Sequence, residues 1–111
     1  MTLNEAEYDA RALPELTRLV AALDAIDDDG LEAELAADIL NIEFSDGTKY
    51  VLNSHRAARQ IWLAAERSAW HFDFNPAESR WIAAKTGEEL WSVLERAIGA
   101  RLGRPLELER S

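Results

Sequence analysis

The sequence predicts an α+β fold: a two-layer sandwich with two helices packed on one face of an antiparallel sheet of five to six strands. Three observations lead there. Apolar residues recur at helical spacing near the start, short segments alternate apolar and polar residues through the middle, and a second helical stripe follows near the end. Both helices need an apolar surface to cover. The simplest arrangement sets both against one face of the sheet and leaves the other face to solvent, where function would show. The chain, 1–111, reads as a single domain: a helix over 4–26, strands within 31–84, a helix over 87–102 and a short C-terminal tail.

In the first helix Leu16, Leu19, Leu23 and Ile26 share one face. Pro14 conflicts with a continuous helix, because its ring is tolerated only in a first turn. Either the helix kinks there or its principal part begins near Leu13. Asp27-Asp28-Asp29-Gly30 ends it. Leu31, Ala33 and Leu35 then alternate with Glu32 and Glu34, and Leu40, Ile42 and Phe44 alternate with Asn41 and Glu43. Ser45-Asp46-Gly47-Thr48 is a hairpin signal. Tyr50 and Leu52 continue the inward face. Ile61 and Leu63 do the same, with Gln60, Trp62 and Ala64 on the other side. Trp70, Phe72 and Phe74 alternate with His71 and Asp73, and a short strand around Trp81-Ile82 follows. Thr86-Gly87-Glu88-Glu89 reads as a capping box that opens the second helix. Its stripe is Leu90, Leu94, Ala97 and Ile98. Pro105-Leu106-Glu107-Leu108 has a strand-like pattern suited to packing in a groove.

The net charge is −9, unevenly placed. Residues 1–46 hold thirteen Asp/Glu against two Lys/Arg; residues 47–111 hold eight against ten. An acidic half repels nucleic acid and anionic lipid, and attracts cations and basic protein surfaces. No apolar run approaches a membrane span, and the start of the chain is acidic where a signal peptide is basic. The expected location is the cytoplasm. The absence of cysteine excludes disulfides, thiolate metal sites and thiol catalysis, and with them a thiolate-held iron–sulfur cluster. There is no Gly-rich phosphate loop, His-pair metal motif or nucleophile elbow, so the chain does not read as an enzyme.

Two features carry chemistry. Asp24, Asp27 and Asp28 share a helix face if the helix lasts that far, with Asp29 beside them, and Glu32 and Glu34 share a strand face. Carboxylates held this close repel one another, and a hard divalent cation would relieve the repulsion weakly and reversibly. The alternative is a solvated acidic edge with no specific ligand. The other feature is Trp62, which strand parity turns to the open face, where it is a candidate binding anchor unless a neighbour covers it. His71 shares that face with Asp73, and both are minor candidates. His55 is placed in a turn with Arg56 and Arg59 nearby, a basic surrounding that would oppose a cation.

The run Asn53-Ser54-His55-Arg56-Ala57-Ala58-Arg59-Gln60-Ile61-Trp62-Leu63, followed by Trp70-His71-Phe72-Asp73, Trp81-Ile82 and Thr86-Gly87-Glu88-Glu89-Leu90-Trp91, resembles the frataxin family in its bacterial CyaY branch. The likeness covers about residues 4–100 in one register. It departs from the family at His55 and Ala57, where Gln and Pro are usual, at Ala69 for Gly, and at Val20, Ala21 and Ala25, where acids are common. The resemblance implies a frataxin-like sandwich that binds iron, ferrous or ferric, weakly and labilely, with no organic cofactor. It implies an iron donor to iron–sulfur cluster assembly, a regulator of the cysteine desulfurase, or both. The metal would sit on Asp24, Asp27, Asp28, Asp29, Glu32 and Glu34. Docking on the desulfurase and the scaffold protein would use Trp62, Gln60, Asn53, Glu32 and Glu34. A monomer is expected without metal. The second reading is an acidic interaction module whose metal binding is incidental.

Overall fold

The structure, a computed structural model, describes residues 3–26 and 28–109. Helix α1 spans Glu5–Asp24. Asn4 caps it: its side-chain oxygen accepts from the Glu7 amide at 2.8 Å, and Glu7 accepts from the Asn4 amide at 3.0 Å. Pro14 lies inside α1 and neither starts nor ends it. Pro14 and Ala10, whose carbonyl loses its helical donor to the ring, are both exposed. Water can take that carbonyl, so the helix runs through the proline. At the other end α1 stops at Asp24, two residues short of the expected Ile26.

Six strands follow: β1 (Leu31–Ala36), β2 (Ile39–Phe44), β3 (Lys49–His55), β4 (Gln60–Ala65), β5 (Ser68–Asn75) and β6 (Arg80–Ala83). They form one antiparallel sheet in sequence order, each strand beside the next. One face is buried through Leu40, Ile42, Tyr50, Leu52, Ile61, Leu63, Phe72 and Trp81. Helix α2 (Leu90–Leu102) packs with α1 on this face, and the other face stays open.

Helix α2 starts later than the expected residue 87, and the capping box does not form. Gly87 takes a left-handed turn (φ 77°), and Ile82 still bridges Glu89, which keeps the chain extended. The cap is Glu89, whose carboxylate accepts from the Trp91 and Ser92 amides at 2.9 and 3.2 Å. Thr86 instead accepts from the Glu88 amide at 3.2 Å. The tail does pack: Leu108 is buried and its amide donates to Glu95 at 2.7 Å.

Two buried hydroxyls tie the layers together. The Tyr8 hydroxyl of α1 donates to the Gln60 carbonyl at 2.7 Å and lies 2.7 Å from the Ser54 hydroxyl. The Tyr50 hydroxyl donates to Glu66 at 2.8 Å. Burial, with the Glu66 carboxylate next, pushes the Tyr50 phenol up to about 12. A weak acid whose folded pKa is raised contributes stability that is intact below its unfolded value near 10 and is lost as pH rises toward the folded value. Wild-type stability is therefore expected to fall between about pH 10 and about pH 12. A Tyr50→Phe protein should lose less over that window in denaturant titrations. Equal losses would refute the assignment.

Candidate functional site

Register sorts the open face into rows. Ile39, Asn53, Trp62 and His71 lie side by side across four strands. The next row toward the opposite strand ends begins Glu34, Asn41 and Val51, and the one beyond it Glu32, Glu43 and Lys49. The parity expected for Trp62 holds, but its ring does not stand free. It is stacked between two imidazoles, His55 at 3.9 Å and 13° and His71 at 4.2 Å and 14°. Its indole N–H donates to the Gln60 side-chain oxygen at 2.8 Å, and the Gln60 amide group donates to Asp73 at 3.2 Å. Trp62, Gln60, Asn53 and Asp73 are half-buried, and His71 is exposed. Neighbouring side chains thus cover both faces of the indole, so Trp62 is not a free-standing anchor; the stack as a whole is a flat, pre-ordered aromatic platform. His55 closes β3 on this face and does not sit in a basic turn. Arg56 turns away to Asp9 (2.6 Å) and Glu5 (3.0 Å).

The acids divide by what holds them. Because α1 ends at Asp24, the expected helical face carrying Asp24, Asp27 and Asp28 does not form. Asp27 lies outside the described residues. Asp28 accepts from the Gly30 amide at 2.8 Å and from Arg104 at 2.9 and 3.2 Å. The Gly30 amide, then Arg104, hold its carboxyl below the usual range. Asp29 is exposed in the turn. Asp24, Glu32, Glu34 and Glu43 have no ion-pair partner among the described residues, and all four line one shallow depression of about 440 Å³ along β1. Glu32 faces Glu43 directly across the β1–β2 ladder. No three His or acidic side chains among the described residues stand close enough to enclose an ion as they are. The arrangement suits one or two carboxylates with water completing the shell, which is weak binding.

Sequence reading missed Glu43, Ile39 and the part of His55 in the stack. Glu43 and Ile39 share the outward phase of Asn41, which is a usable signal once β1 and β2 are paired. Ile39 is 39% exposed, one of two large apolar side chains so placed among the described residues.

The frataxin-like domain family matches residues 1–104. An iron–sulfur cluster assembly protein CyaY from Ectopseudomonas mendocina is 34% identical over 98% of this chain and 98% of its own. The chain belongs to the frataxin family, in its bacterial CyaY branch. In fold, this frataxin is similar to a CyaY-family frataxin from Psychromonas ingrahamii, with a TM-score of 0.85 at 22% identity over 95% of this chain and 97% of the other. It is also similar to trimeric frataxin from the yeast Saccharomyces cerevisiae, complexed with ferrous iron, with a TM-score of 0.56 at 24% identity over 94% and 89%. No helix among the described residues of this frataxin is long and apolar enough to cross a membrane.

Proposed function

We propose that this frataxin serves iron–sulfur cluster assembly in the cytoplasm without being an enzyme. It carries weakly held ferrous iron as cargo on the carboxylates along β1. It docks on the cysteine desulfurase and its scaffold partner through that edge and the platform around Trp62, as iron donor, as regulator of the desulfurase, or both. The relatives named for this assembly and the ferrous yeast neighbour support the reading. The observation that carries it is the geometry. The unpaired acids Glu32, Glu34 and Glu43 share the open sheet face with the His55–Trp62–His71 stack, with Asp24 beside them at the edge. All-oxygen donors suit a hard cation, and two opposed glutamates gain by sharing one.

Anaerobic titration with iron(II) or manganese(II) is expected to move the amides of Asp24, Glu32, Glu34 and Glu43 before all others. Asp28 should follow only as Arg104 gives way. First shifts around His55, or in α2, would remove the metal from this edge.

The scattered acids favour one second reading, an interaction module whose metal binding is incidental. The two readings separate on one measurement, desulfurase affinity with and without iron(II) under anaerobic conditions. The iron reading requires the affinity to change.

A further inference from the structure

We propose that β1, the free edge of the sheet, receives an extended basic strand from a partner protein by β-addition. This shares with the reading above only the use of the β1 edge for docking; the basic partner is argued from the acids of that edge.

Among the described residues, strand β1 pairs with β2 alone. The Ser45 amide donates to the Gly30 carbonyl at 3.0 Å, and antiparallel ladders alternate, so Glu32, Glu34 and Ala36 face β2. The peptide groups of Ala33 and Leu35 therefore point outward. That is a row of unanswered donors and acceptors, the template another strand pairs with. Edges are commonly blunted by proline, a bulge, edge charges (lysine above all) or an inward charge. Over Leu31–Ala36 there is no proline, bulge, lysine or inward charge, the only edge charges are the outward Glu32 and Glu34, and the six register pairs run unbroken.

The side chains state what would pair there. Leu31, Ala33 and Leu35 point to the core side yet are only half-buried, because no strand flanks them. Leu23, in the last turn of α1, and Ile26, just beyond it, form the apolar wall of the depression beside them. Glu32 and Glu34 point to the open face. A strand alternating apolar and basic residues would seal the first row and neutralise the second. A second copy of this chain would instead set its own Glu32 and Glu34 against these, and like charges opposed across a ladder destabilise it. The same two glutamates thus exclude self-pairing and select a basic strand.

The test uses the isotope-labelled full chain without metal and a capped peptide of alternating Lys and Val, long enough to span β1. Binding is expected to slow hydrogen exchange at the Ala33 and Leu35 amides. A peptide of the same sequence with alternate backbone nitrogens methylated should bind at least tenfold more weakly. Ala33→Pro removes an outward donor and leaves the β1–β2 ladder, and should cost at least tenfold with the amides of β3–β6 unmoved. Equal binding of the methylated peptide means charge attraction alone and overturns the proposal. So does no binding, or shifts centred on Trp62. If Ala33→Pro does not fold, the methylated peptide still decides. Iron and the desulfurase are absent throughout, so failure here leaves the proposed function standing, and its failure leaves this test intact.

Discussion

A folded Trp62→Ala protein is expected to leave the cysteine desulfurase about 30-fold faster than wild type. Losing a desolvated aromatic anchor commonly costs about 2 kcal/mol or more, which converts to that factor. Here the indole is held in one orientation by His55 and His71 on its faces and by Gln60 at its N–H. It enters an interface already ordered, so little side-chain entropy is lost on binding. Charge acts on the other rate. Glu32→Lys with Glu34→Lys should lower the on-rate and flatten its salt dependence, because long-range attraction is screened by salt and the edge supplies it. The two variants should therefore differ in kind. Surface plasmon resonance at several salt concentrations reads both. Circular dichroism must first show each variant folded, since Trp62 is half-buried. Unchanged dissociation in Trp62→Ala, or unchanged binding of the charge-reversed protein at low salt, would remove docking from this face.

Gly99→Val should cost the fold about 2 kcal/mol, the middle of the range for overpacking a tight contact. Gly99 is buried in α2, where the chain turns back at Gly103 (φ 76°) and the tail crosses the helix. A β-carbon at position 99 would lie 2.9 Å from the Arg104 carbonyl and 3.4 Å from Leu106. The carbonyl is backbone and cannot swing away, so the tail must lift. Leu108 would then lose its burial and its bond to Glu95. The better helix propensity of valine returns only about 0.5 kcal/mol. Calorimetry should show the melting temperature lower by roughly 10 °C. An unchanged value would mean the tail does not depend on this approach.

The layer architecture was legible because it follows from periodicity. Leu16, Leu19 and Leu23 at helical spacing, and Leu40, Ile42 and Phe44 at strand spacing, are buried where their pattern put them. The Asp46-Gly47 turn was legible for a local reason: Gly47 takes the left-handed conformation and Asp46 accepts from the Thr48 amide. The other hairpin turns place Ala37, Arg59, Glu66 and Ser79 at positive φ, and no glycine marks them. The start of α2 was misread because Thr86 and Glu89 have the right spacing for a capping box, while the bridge from Ile82 keeps Glu89 extended.

By itself the sequence determined which residues face inward, that the acids lie in the first half, that no thiol chemistry exists, and that Trp62 looks out from the sheet. Each depends on composition or on neighbours a few residues away. Tertiary structure alone decided which acids remain unpaired. Arg104 reaches Asp28 from 76 residues along the chain, and Arg56 reaches Asp9 from 47, while Glu43 joins Glu32 only through the β1–β2 register. It also decided that Trp62 is clamped, because His55 and His71 come from the strands on either side. Ion pairing and ring stacking act over a few ångströms of space, and separation along the chain does not constrain them.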